Sequence, residues 1–479
     1  MHEFLCNEYE DIKMENHGVT REAAEFVAAL QFADLPSECV HIAKRCIIDG
    51  IGVMLAGSNE PCAIICRQYA LSVSGKARAS FFGKDSQKAP AHLAALVNGT
   101  AGHALDWDDT ALSNAPDRSV LIHPTMQPLA AGLALAEVMD RSGEELLTAF
   151  IAGFEVQCKI AESIDPSHFS GGRGFHTSNT IGIFGAAVTA SKLLGLDREK
   201  TLNALGIAVS MSSGVGVNHG TMGKPLQMGR AAENGIVAAQ LAAIGMDAHP
   251  EALEGPRGFF QCFGGGYEPK NINGKFGTPF SIIDPGVSIK PYPCGVVGHP
   301  GMDAMRDLAT EYDVASNEVK KVRVFTGSNV LPPGPLRYQI AQSALEGKFC
   351  VPFQIASMII RRKAGMMEFS DSFVRSPDAQ AMMQRIKTKV APEIDALGKS
   401  RIVFKIELEL KDGRILKQES DKFYRGGPKN PLSREDLMEK FADASQNCLS
   451  TSDAHVTFEL IERIDKSENI KALLNMVAR

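Results

Sequence analysis

The residue types best suited to chemistry gather in a few short stretches. His103-Ala104-Leu105-Asp106-Trp107-Asp108-Asp109-Thr110 closes an Ala-rich apolar run and contains the chain's single Trp. Three acids at a helix C-terminus meet the negative end of the macrodipole, so stability alone does not place them there. A catalytic cluster explains them. The alternatives are that one Asp caps the next helix while the others are solvated, or that the acids hold magnesium. His123-Pro124 follows where a helix is expected to begin, because Pro suits a first helical turn. Gly171-Gly172-Arg173-Gly174-Phe175-His176 precedes a helix of small residues. Its glycines suit a loop folded over an anion, with Arg173 and His176 offering charge or protons. Lys224 is the only Asp, Glu, Lys or Arg in the 29 residues 201–229. Lys290 lies in Ile289-Lys290-Pro291-Tyr292-Pro293-Cys294, a segment that its prolines stiffen. Cations that hold anions, beside a His that moves a proton, suit a substrate with several carboxylates.

These residues need elements to carry them. Apolar residues recurring at three and four predict helices over 37–55, 90–105, 124–139, 143–164, 177–194, 198–211 and 231–244. Gly and Ala lie on many helix faces, which predicts close helix contacts and a core built from backbone approach rather than aromatic bulk. Beyond residue 280 the pattern changes. Residues 319–326 and 402–410 alternate as strands, and Lys411-Asp412-Gly413-Arg414 turns into a partner strand over 415–420. Helices over 300–312, 351–363 and 376–387 intervene. The expected fold is mainly α with an inserted α+β domain. A large all-helical domain would comprise 1–280 and 430–479, a smaller α+β lid 281–429, and the cleft between them the site.

Composition narrows the function. The 479 residues carry 50 Lys plus Arg against 56 Asp plus Glu, a formal charge of -6. That balance offers no electrostatic motive for binding nucleic acid or an anionic membrane. Residues 1–16 lack the apolar core of a secretory signal, and the uncharged stretch 201–223 is expected as buried helix plus loop. The ten cysteines show no CxxC pairing or zinc spacing, and Cys62 and Cys66 are expected as buried thiols. A cytoplasmic location follows as the expectation. GxSxG, HExxH and P-loop motifs are absent, which removes the usual support for serine hydrolase, zincin and nucleotide kinase readings.

In order along the chain, HALDWDDT (103–110), HP (123–124), GFHTSNTIGIFGAA (174–187), GTMGKPLQMGRAAENG (220–235), KPYPC (290–294) and LEGKF (345–349) resemble the MmgE/PrpD family. The resemblance implies an all-helical domain with a smaller α+β lid, a homodimer, and no metal or organic cofactor. It implies a lyase for a citrate-derived di- or tricarboxylic acid, with itaconate-forming aconitate decarboxylation leading. A 2-methylcitrate dehydratase, an iminodisuccinate epimerase or a non-catalytic carboxylate-binding relative are the alternatives. Carried over residue by residue, His123, His176 and Asp106 are implied as catalytic, with Thr110, Lys224 and Lys290 binding substrate. Gly295 and Gln227 stand where relatives tend to carry His.

Overall fold

The computed structural model describes residues 18–73, 75–84, 87–111, 120–169, 172–398 and 401–479. The expectations for residues 1–16, for Cys6 and for Gly171 lie outside the described residues.

Helices build most of the molecule. Their starts are written in the sequence: at Gly143–Ser163, Ser142 Oγ accepts the Glu145 N–H at 3.2 Å. The Glu145 carboxylate accepts the Ser142 N–H at 2.8 Å in return. Helix Gly182–Leu194 lies against Met126–Met139, Gly143–Ser163 and Gly223–Ala243, and Ala91–His103 lies against Gly223–Ala243. Small residues set these distances. A Cβ on Gly235 would lie 2.4 Å from Ala186 Cβ, and one on Gly229 would lie 2.2 Å from the Leu96 carbonyl oxygen. Aromatic bulk contributes as well, contrary to expectation: Trp107, Phe150, Phe154, Phe184 and Phe259 are fully buried. One apolar cluster runs from Val19 to Ile289 and resumes from Leu432 to Val477.

A second apolar cluster, Tyr292 to Leu410, belongs to the smaller α+β body. Its sheet has the order Ile386–Val390, Val319–Thr326, Lys405–Leu410, Ile415–Glu419. The first pair is parallel and the others antiparallel. Val322 faces Leu408 and Val324 faces Ile406, all four buried beneath the helices His299–Glu311, Val351–Arg361 and Pro377–Arg385. The architecture is therefore mainly α with a smaller α+β part.

Several boundaries differ from expectation. The helix expected over 177–194 is two, Thr177–Thr180 and Gly182–Leu194. The one expected from 231 begins at Gly223, because Pro225 sits in its first turn, where the missing N–H costs nothing. Residues 386–387 leave the helix expected over 376–387 and join 388–390 in the parallel strand; alternation over five residues is too short to outweigh a neighbouring helical pattern. Helix Pro61–Ser72 was not anticipated, and it buries Cys62 and Cys66 as thiols. The stretch after Met211 is loop as expected, but exposed rather than buried, with Val217 85% accessible. Among the described residues no helix is long and apolar enough to cross a membrane.

Gly235→Ala tests the role of small residues. Helix propensity alone predicts stabilisation by about 1 kcal/mol. The contact with Ala186 predicts destabilisation by ~1–3 kcal/mol in urea unfolding. A variant as stable as the wild type would remove close helix approach as the reason for the glycine.

Candidate active site

Helix Ala91–His103 ends one turn before the acid cluster, and Asp106 takes a left-handed conformation at φ 55°. That geometry costs a non-glycine residue ~1–3 kcal/mol and persists only where its surroundings impose it. Here three lysines from distant segments do so. Lys348 Nζ donates to the Leu105 carbonyl, Lys290 Nζ to that of Asp106 at 2.8 Å, and Lys440 Nζ to that of Trp107 at 3.0 Å. Ammonium groups thus satisfy consecutive carbonyls just beyond a helix C-terminus, where cations are favoured.

The three carboxylates go to separate partners. Asp106 Oδ1 accepts Lys224 Nζ at 2.7 Å and lies 3.5 Å from Lys290 Nζ. Asp108 accepts His103 Nδ1 at 2.8 Å and has His123 Nδ1 at 3.2 Å. Asp109 accepts the hydroxyl of Thr125 at 2.6 Å and its N–H at 3.3 Å, at the start of helix Met126–Met139. One Asp therefore does support the next helix. None of the three is solvated, however, and they do not converge on a common point as a magnesium site requires.

Charge follows from these partners. Burial would raise Asp106, but Lys224 and Lys290 hold its carboxyl well below the usual range. Burial likewise opposes ionisation of Asp108, and the His103 and His123 imidazoles beside it pull it well below. At Asp109 burial wins and pushes the carboxyl well above, so of the three it keeps its proton longest. Burial lowers His103 to about 3 despite Asp108, so it stays neutral and donates from Nδ1. Lys348, buried among carbonyls, is lowered to about 8 by desolvation, against the pull of Asp106.

A cavity of about 360 Å³ opens beside this cluster. Asp106, Thr110, His123, His176, Lys224 and Lys290 all line it, so the six residues that the family resemblance implies reach one space. Lys224 stands in the first turn of Gly223–Ala243, and His176 at the start of Thr177–Thr180. Gly295, Val297, Arg337, Tyr338 and Phe349 contribute the wall from the α+β body. Thr110 is held by a two-way backbone bridge to Ser288, and among the described residues its buried Oγ1 finds no hydrogen-bond partner. A larger cavity of about 570 Å³ lies elsewhere, lined by Phe32, Val40 and Phe458. Its Lys44 and Arg434 are already paired with Asp465 and Glu462.

Arg173 departs from expectation. It is exposed and donates to the Cys262 carbonyl at 3.1 Å, away from the cavity lining. Residues passed over as site members are His103, Asp108, His219, Arg337 and Tyr338. His103 and Asp108 lay within the quoted HALDWDDT motif and His219 beside Lys224. Arg337 and Tyr338 follow a Pro-rich turn that gives no chemical signal. Among the described residues His103, Asp108 and His123 form the one group whose donor atoms, within 4.8 Å of one another, could hold a metal. The fit is poor: His123 Nδ1 donates to the Asp109 carbonyl at 2.8 Å and His103 Nδ1 to Asp108, so neither of these nitrogens offers a lone pair.

The MmgE/PrpD N-terminal domain matches residues 21–272, and the MmgE/PrpD C-terminal domain residues 292–466. The chain belongs to the MmgE/PrpD family. Among similar MmgE/PrpD-type sequences, a cis-aconitate decarboxylase of Homo sapiens is 28% identical over 475 residues, 96% of this chain and 94% of that one. One of Mus musculus is 28% identical over 483 residues, 96% of this chain and 93% of that one. One of Aspergillus terreus is 26% identical over 485 residues, 96% of each. The C-terminal family domain extends over helices Arg434–Ser445 and Thr451–Glu462, which here pack on Ser37–Gly57 in the helical body.

The ionic partners of Asp108 make a pH prediction. A carboxyl depressed on folding contributes stability above its unfolded value, near 4, and loses it as the pH falls through the folded value. The wild type should therefore exceed Asp108→Asn in urea-unfolding stability most at pH 6, with the gap shrinking from pH 4 to pH 3. An equal gap at every pH would show that the carboxylate's charge is not what matters.

Proposed function

We propose that this protein is a carboxy-lyase of the cis-aconitate decarboxylase type. The observation that carries the reading is the convergence of two lysines, two histidines and a threonine hydroxyl without a partner among the described residues on one cavity. Lys224 and Lys290 bind substrate carboxylates. Asp106 holds both lysine side chains aimed at the cavity through its carboxylate. Thr110 Oγ1, which has no partner among the described residues, donates to a carboxylate.

The chemistry moves one proton and breaks one carbon–carbon bond. The bond from the methylene carbon to its carboxylate breaks, and its electron pair forms the new carbon–carbon double bond. The pair of the old double bond takes a proton from an imidazolium at the cavity wall, carbon dioxide leaves, and itaconate remains. His123 and His176 are the groups for that exchange. General acid–base help accounts for ~10²–10⁴ in rate, and fixing the anion between the two bodies supplies more by orientation. Every step is assigned to groups of this chain. A homodimer, as the family resemblance implies, completes the proposal.

Product NMR tests it. Purified protein with cis-aconitate should release itaconate, with 2-methylcitrate, trans-aconitate and iminodisuccinate as competing substrates. His176→Ala should lower kcat by at least ~100-fold. Lys224→Ala should act mainly on KM, because it removes a binding cation. Dehydration or epimerisation without itaconate would overturn the decarboxylase assignment, and full turnover by His176→Ala would overturn the assigned chemistry.

A further inference from the structure

The two cavity histidines are held by different kinds of acceptor. His123 Nδ1 faces the Asp109 carbonyl oxygen at 2.8 Å and the ionised Asp108 at 3.2 Å. His176 Nδ1 faces the amide oxygen of Gln227 at 2.6 Å. The orientation of that amide is fixed from its other end. Gln227 Nε2 donates to the Val215 carbonyl at 3.1 Å, and a carbonyl can only accept. The amide must therefore turn its oxygen to His176, and His176 must carry its proton on Nδ1. The backbone holds the ring in place, since His176 N donates to Gly214 O at 3.2 Å. Gln227 itself is buried in helix Gly223–Ala243, one turn from Lys224.

We propose that Gln227 is a positioning residue that fixes the tautomer of His176, so that His176 turns a bare Nε2 to the cavity and His123 is left to deliver the one proton that the reaction moves. The inference rests on the proton chemistry proposed above and deepens it by dividing the roles. Its physical basis is the difference between an amide and a carboxylate. Both accept a hydrogen bond, but the carboxylate of Asp108 also carries a negative charge and the amide of Gln227 does not. Besides burial, the groups that act most on His176 are His103, Lys224, His219 and His123, all of them basic, while Asp106 lines the same cavity and is paired with Lys224 and Lys290. With burial, these basic groups push the His176 imidazole well below its ordinary range, so the ring is neutral and the tautomer is the property left to control. A neutral ring with the opposite tautomer would offer the cavity an N–H and lose its basic nitrogen.

Nitrogen-15 NMR of the full-length protein, labelled at histidine, reads the tautomer without any turnover. The His176 resonance is assigned by its loss in His176→Gln. At pH 7 we expect a neutral ring protonated at Nδ1, and a ring protonated at Nε2 or at both nitrogens would overturn the inference. Gln227→Glu keeps the hydrogen bond and adds the charge. It should raise the titration midpoint of His176 by at least about one pH unit and move the acid limb of kcat upward with it. An unmoved midpoint in a folded Gln227→Glu would also overturn the inference. Gln227→Leu removes the acceptor and should lower kcat by ~10-fold or more with a smaller change in KM. Failure to form itaconate, with the NMR tautomer as expected, would fault the proposed reaction and leave the role of Gln227 standing.

Discussion

A chain that places three acids beyond a helix C-terminus sets itself an electrostatic problem, since the helix end is already negative. The structure solves it with ammonium groups. Lys348, Lys290 and Lys440 reach three successive carbonyls, and Lys224 and Lys290 meet the Asp106 carboxylate. These contacts hold Asp106 in its left-handed turn, and that turn sends Asp106, Asp108 and Asp109 to different partners. The four lysines come from four parts of the sequence: Lys224 and Lys440 from the helical body, Lys348 from the α+β body and Lys290 from the junction of the two. The knot therefore joins the helical body to the α+β body at the cavity between them.

Because the same cations perform both tasks, the structure and the proposed chemistry share one source. A cavity that sets two lysines beside a single Asp has cationic capacity left for a polyanion. The imidazoles are distinguished by the groups behind them. Asp108 stands behind His123, and an amide behind His176. In an enclosed site of low dielectric such differences between supporting groups weigh more than they would in water.

Much of this was legible in the sequence where the signal was local. The capping box at Ser142, the pairing of the 402–410 strand with 415–420 across a short turn, and the isolation of Lys224 in an uncharged stretch all depend on residues near one another in the chain. Arg173 was misjudged for the same reason. A glycine-rich loop before a helix reads as an anion cradle, but the guanidinium turns to the Cys262 carbonyl, a partner 89 residues away. The strand 386–390 was missed because its identity comes from pairing with 322–326, which outweighs the helical pattern beside it.

By itself the sequence determined the helical texture, the α+β segment, the ordered motifs that match a family, and the residue types on which the site relies. Those are properties of spacing and side-chain chemistry, and both are written in one dimension. Only the tertiary structure decided which carboxylate meets which cation, which nitrogen of His176 carries the proton, and which arginine reaches the cavity. Each of those is a contact between residues far apart in the chain, and its strength depends on burial. Neither partner nor dielectric exists until the chain has folded.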